Sequence, residues 1–161
     1  MRILGDFLTN KMLNSYKEHV EERAQQGIPP LPLNAEQVSE LVELLKSPPS
    51  GEEEYILNLI TNRTPAGVDP AAYVKAAFLT AIAKEETHSP LINKHHATEL
   101  LGTMLGGYNV ESLIGLLEDE EVGSIAAEGL SKTLLMFNAK HDVIELAKKH
   151  ILDGFGLACL P

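Results

Sequence analysis

Between Val122 and Phe137 the chain repeats apolar and small residues at helical spacing: Val122, Ile125, Ala126, Gly129, Leu130, Thr133, Leu134 and Phe137. On a helix these positions fall on one stripe, and a stripe of this kind must be covered by another element. Ala126 and Gly129 sit in its middle, where small side chains let a neighbouring helix come close, as stacked helical units require. The residues just before extend the pattern. In ATELLGTMLGGYNVESLIGLLEDEE, two further amphipathic segments are separated by Gly106-Gly107 and closed by an acidic turn. A chain built around this stretch folds as helix against helix.

The rest of the chain reads the same way, with no strand pattern. A first helix is expected from about Leu13 to Gln26, with Gly27 as the residue just past its end. The connector IPPLPL cannot continue it. Asn34 caps a second helix with Val38, Leu41, Val42 and Leu45 inward, stopped by Pro48 and Pro49. Ser50 and Glu53 have capping-box spacing and open a helix burying Tyr55, Ile56, Leu59 and Ile60. Asp69 followed by Pro70 starts another, predicted to bury Tyr73, Val74, Ala77, Phe78, Ala81 and Ile82. Asn93 caps a helix expected to bury Ala97, Leu100, Leu101, Met104 and Leu105 before the glycine pair ends it. Asn109 starts a short helix with Leu113, Ile114 and Leu117. Asp119 lies in the acidic turn before the long helix to Phe137, and Asp142 caps a last one reaching about Leu152.

These helices fall into pairs, residues 34–62, 69–106 and 109–138, of unequal length. Each pair has one apolar face and needs neighbours to cover it. The expected fold class is therefore all-α: a HEAT-like right-handed α-solenoid or an irregular array of about seven to eight antiparallel helices. The domain organisation follows as a flexible N-terminal extension over residues 1–12, a single helical domain over 13–152 and a short tail over 153–161. A chain of 161 residues can bury roughly 68–70% of its unfolded surface. Aromatics are only 5% and Trp is absent, so Leu, Ile, Val and Ala must fill the interior. No apolar run approaches the roughly 20 residues that span a bilayer.

Charge and cysteine usage narrow the function. The formal net charge is −10, which repels nucleic-acid phosphates unless a local basic face compensates. The densest basic spot, Lys148, Lys149 and His150, reads as cations at a helix C-terminus. Nucleic-acid and membrane partners are both disfavoured. Cys159 is the single cysteine, which forbids an internal disulfide, suits a reducing compartment and cannot by itself hold an iron–sulfur cluster.

No constellation of reactive side chains emerges. His19, His88, His95, His96, His141 and His150 show no metal-ligand spacing, and the adjacent pair His95-His96 diverges by about 100° around a helix. Glu52, Glu53 and Glu54 read as first-turn acids favoured by the helix dipole. Glu118 to Glu121 reads as a solvated turn, because it lacks the alternating oxygen ligands of a calcium loop. Gly106-Gly107 has no strand before it, so it breaks a helix and does not cradle a phosphate. Ser89 and Ser131 lack a histidine and acid in any recognisable arrangement. Tyr108 and Asn109 are open to two readings, a capping and turn role or a partner contact. The residues thus supply a scaffold with no catalytic, cofactor-binding or metal site.

The segments HVEERA, LVELLK, PPSGEEEYILNLITNRTPAGVDPAAYVKAAFLTAIAK, SPLI, ELLGTMLGGYN and LSKTLLMF occur in this order between Leu13 and about Val143. Together they closely resemble the N-terminal HEAT-like domain of the aconitase B family, bacterial aconitate hydratases that also act on 2-methylisocitrate. The resemblance implies a long cytoplasmic lyase of the tricarboxylic acid cycle and of propionate breakdown. In that family the helical domain precedes a swivel domain and the catalytic domains that carry a 4Fe–4S cluster. It implies further that this module makes protein contacts, including dimer formation, and helps wall the route to the active site. The cluster cysteines, substrate-binding arginines and catalytic serine of the family lie in later domains, so none maps onto this chain and the chain alone is expected to be inactive. Expected partners are the remaining aconitase domains, a second copy or another metabolic protein. The family pattern begins near Met12, and IELAKKHILDGFGLACLP after Val143 departs from it. A truncated product, a frameshifted end and a stand-alone form are the readings of that tail. The alternative function is an independent HEAT-like adaptor that binds some other protein.

Overall fold

The structure is a computed structural model and describes residues 2–133, 141, 144 and 145, with side chains from residue 11 onward. Seven helices make up the described residues: α1 Arg2–Gln25, α2 Ala35–Lys46, α3 Glu53–Asn62, α4 Pro70–Ala83, α5 Lys94–Gly102, α6 Val110–Gly115 and α7 Gly123–Ser131. No β-strand occurs among them. The pairs expected from sequence are α2 with α3, α4 with α5 and α6 with α7, and each pair is in contact. Successive pairs join through α2 against α4 and through α5 against α6 and α7, while α1 packs on α2. The result is an irregular all-α array.

Local chemistry explains most of the boundaries. α1 begins at Arg2, earlier than Leu13, so part of residues 1–12 carries helical backbone. It closes as anticipated at Gly27, whose φ of +69° lets its N–H reach the Ala24 carbonyl at 3.0 Å and lets Ile28 N–H reach the Arg23 carbonyl at 3.1 Å. The proline connector is then pinned from both sides. Tyr16 Oη donates to the Leu31 carbonyl at 2.7 Å, Arg63 Nη2 donates to the Pro30 carbonyl at 3.1 Å, and Leu33 N–H donates to the Arg63 carbonyl at 2.8 Å.

Asn34, Asp69 and Asn93 all cap as expected, accepting from the backbone N–H of Gln37, Ala71 and His96 at 2.8–2.9 Å. The reciprocal box forms at Asn34, where Gln37 Oε1 accepts the Asn34 N–H at 3.0 Å. The box expected at Ser50 does not form. Glu52 occupies the capping position without a side-chain bond to the helix, because its carboxylate pairs with Lys17 at 2.6 Å. Glu53 Oε2 takes the N–H of Gly51, which turns the chain at φ +87°.

The stripes of α4 and α7 differ from the sequence reading, as does the end of the α5 stripe. In α4 the buried positions are Ala71, Ala72, Lys75, Ala76, Phe78, Leu79, Ile82 and Ala83, while Tyr73 and Ala77 face outward. This helix carries apolar residues on nearly every side, so periodicity alone left its orientation undetermined, and contact with α2 and α5 set it. At the other end α7 stops at Ser131, short of the reach expected from the stripe. Its cap residue Lys132 donates back to Gly129 and Leu130, the tight final turn that ends many helices. Residues 134–137 lie outside the described residues, as do residues 153–161 and most of the helix expected from Asp142. The interior is one cluster in which Leu13, Leu41, Leu45, Ile56, Leu59, Ile60, Leu79, Leu101 and Leu113 are fully buried.

Candidate interaction surface

The centre of the array is a backbone contact. A Cβ placed on Gly129 would lie 2.8 Å from Gly102 Cα, and one placed on Gly102 would lie 3.0 Å from Gly129 Cα. α5 and α7 therefore cross with nothing between them, which is the close approach that the small residues of the α7 stripe implied. The same crossing brings the start of α5 to the acidic turn. Lys94 Nζ lies 2.9 Å from Asp119, 3.5 Å from Glu121 and 3.8 Å from Glu85. Asp119 Oδ1 also accepts the N–H of Glu121 and Val122, at 2.9 and 3.1 Å. The Lys94 hydrogen bond and these two backbone donors hold the Asp119 carboxyl below the usual carboxylate range, and the same bond raises Lys94. The turn that looked merely solvated thus clamps α5 to α7.

Most of the polar residues singled out from sequence are held in structural bonds. Ser89 is buried, donates to the Leu45 carbonyl at 2.7 Å and accepts from Leu91 N–H, tying the segment before α5 to the end of α2. Ser131 Oγ donates to the Glu128 carbonyl. His19 Nε2 accepts the Leu31 N–H at 3.0 Å, and His88, His95 and His141 are exposed. Among the described residues, no group of three or more His, Cys, Asp or Glu side chains comes together to hold a metal ion. One buried ionisable group was missed: Lys75 is 3% exposed, its Nζ reaching the Thr61 carbonyl at 3.4 Å. Burial pushes its pKa down to about 8. Its place between the alanine pairs 71–72 and 76–77 of α4 was the available signal, obscured because a lone lysine normally marks the solvent side.

The remaining unusual feature is on the surface. Leu105, Gly106 and Gly107 all have positive φ, at +65°, +120° and +81°. α5 has already ended at Gly102, so the helical stripe does not reach Leu105, and this residue points outward where the sequence placed it in the core. Val68 is 66% exposed, Tyr73 59%, Leu105 52% and Tyr108 41%. The rings of Tyr73 and Tyr108 meet edge to face, with centroids 5.1 Å apart. Gly67 N–H donates to the Met104 carbonyl at 3.2 Å, which joins the loop carrying Val68, just before α4, to the loop carrying Leu105 and Tyr108. Beneath them Asn109 is fully buried. Its Nδ2 donates to the Leu101 carbonyl at 2.7 Å, and its Oδ1 has no partner among the described residues. Asn109 therefore fastens the turn from inside, whereas Tyr108 stands at the surface.

Comparison with known proteins gives this scaffold its family. Residues 15–153 match the family described as the Aconitate B N-terminal domain. The chain belongs to that family. The match continues past Val143 to residue 153, so the family pattern extends further along the tail than the resemblance read from sequence suggested. The chain is 65% identical over 138 residues to aconitate hydratase B of Pseudomonas aeruginosa, covering 86% of the chain and 16% of that protein. Against aconitate hydratase B of Escherichia coli K12 it is 60% identical over 137 residues, 85% of the chain and 16% of the relative. Against that of Synechocystis it is 58% identical over 151 residues, 89% and 17% respectively. The chain thus spans about a sixth of the length of the curated relatives it matches. No helix among the described residues is long and apolar enough to cross a membrane.

Proposed function

We propose that this chain is the contact-making helical domain of an aconitate hydratase B-type protein, non-catalytic by itself. The parent enzyme interconverts citrate and isocitrate in the tricarboxylic acid cycle, dehydrates 2-methylisocitrate and works in the cytoplasm. The domain contributes protein–protein contacts, in dimer formation or with neighbouring domains, and helps shape access to the active site. An iron–sulfur cluster needs several thiolates, and the single cysteine of this sequence does not supply them, so the cluster of the parent enzyme rests on other segments.

The observation that carries this reading is the family match over residues 15–153, on a scaffold in which Ser89 and the Lys94–Asp119 pair fasten one helix to another. The test is an activity assay on the purified chain after iron–sulfur reconstitution, with citrate, isocitrate and 2-methylisocitrate offered in turn. No turnover above the protein-free blank is expected. Turnover that scales with protein concentration would overturn the non-catalytic assignment.

A further inference from the structure

We propose that the patch formed by Val68, Tyr73, Leu105 and Tyr108 is the seat of a covalently tethered neighbouring domain, the polypeptide that continues beyond this one in the full-length relatives. The proposal rests on the functional reading above and adds a surface and an occupant to it.

Three observations single out this patch. Leu105 holds a left-handed backbone conformation, φ +65°, that disfavours any residue with a Cβ, and yet its side chain is 52% exposed. A leucine in that position contributes little to the interior of the domain, and glycine would suit the backbone better. Second, the apolar side chains are contiguous. The Tyr73 and Tyr108 rings stack edge to face at 5.1 Å, and a Cβ on Gly107 would lie 3.2 Å from Val68 Cγ1. Third, both supporting loops are braced from below, by the Gly67 to Met104 hydrogen bond and by buried Asn109, so the patch is presented on a set backbone.

Area decides the kind of occupant. Two half-exposed tyrosines leave on the order of 200 Å² open. With the two aliphatic side chains the patch falls within the roughly 300–600 Å² of a large functional surface patch. A free-standing dimer needs about 800 Å² from each partner. A domain on the same polypeptide needs less, because the linker holds it at about millimolar effective concentration. The relatives have such polypeptide, since the matched segment is 16% of their length.

Hydroxyl-radical footprinting read by peptide mass spectrometry tests the assignment. The chain is labelled alone and also fused, in place of the matching segment, to the remainder of the Pseudomonas aeruginosa relative. Labelling of Tyr73, Leu105 and Tyr108 should fall roughly fivefold or more in the fusion, as expected where water is excluded. Leu31, 55% exposed on the proline connector, should keep its rate. A Leu105→Asp fusion should return Tyr73 and Tyr108 to the rate of the free chain. Protection of Leu31 with no change at the patch would sink the surface assignment while leaving the contact-domain reading intact. Equal labelling everywhere in both proteins would sink both. Protection of the patch in the free chain that grows with protein concentration would assign it to a second copy and refute the tethered occupant.

Discussion

Substituting alanine for Gly129 should destabilise this domain, although alanine is the better helix former. Within α7 the change gains about 1 kcal/mol of helix propensity. Against that, the new Cβ would lie 2.8 Å from Gly102 Cα, where carbon atoms rest comfortably at about 3.5–4.0 Å. The opposed atom is backbone, so no rotamer change relieves the overlap, and α5 and α7 must move apart. That movement also loosens buried Val122, Ala126 and Leu130. Overpacking of this kind costs about 1–3 kcal/mol, and rigid backbone puts the case at the upper end. The net loss is therefore about 1–2 kcal/mol, or roughly 2–8 °C in Tm for a domain of this size. Gly115 is the internal control. It is exposed on α6, and a methyl added there would meet nothing within 4 Å, so Gly115→Ala should gain about 0.4–1 kcal/mol. Gly102→Ala should resemble Gly129→Ala, and the double variant should fall short of additivity because one separation serves both methyls. Urea unfolding followed by far-UV circular dichroism measures all four. A Gly129→Ala protein as stable as the parent would refute the close crossing.

Lys75→Met should stabilise the domain by roughly 1–3 kcal/mol at neutral pH, because the buried ammonium is disfavoured there. Native Lys75 loses its proton near pH 8 while the unfolded chain holds it to 10.5, so parent stability should rise between those values and the variant should lack that rise. An identical pH slope in both proteins contradicts the burial. Asp119→Asn should lower Tm at pH 7 by weakening the clamp on Lys94. Because the native carboxyl titrates below its ordinary 3.8, the deficit should shrink as acid protonates Asp119 in the parent, and a deficit unchanged at low pH counts against the clamp. Leu105→Gly should raise stability by about 0.5–1 kcal/mol by removing the left-handed strain, read by the same urea titration. A loss instead would mean that Leu105 packs in the interior.

What the amino-acid order determined by itself is the part governed by neighbours in the chain. Asn34, Asp69 and Asn93 cap through bonds to residues two or three positions away, and Gly27 closes α1 through its own φ, so each could be read without a fold. The helical pairs followed from the same local patterns, while the family rested on the resemblance carried by segments such as HVEERA, LVELLK and ELLGTMLGGYN. Tertiary contact decided the rest. Which side of alanine-rich α4 faces inward, and hence that Lys75 is buried while Tyr73 is exposed, depends on the packing of α2 and α5. The clamp joins Lys94 to Asp119 across a long stretch of chain, and the Glu52 carboxylate, read from sequence as a first-turn acid, pairs with Lys17, 35 residues away. The outward turn of Leu105 arises because α5 ends at its crossing with α7. Short-range hydrogen bonds are written into adjacent residues, whereas the orientation of a helix is settled only by the sum of its contacts with others.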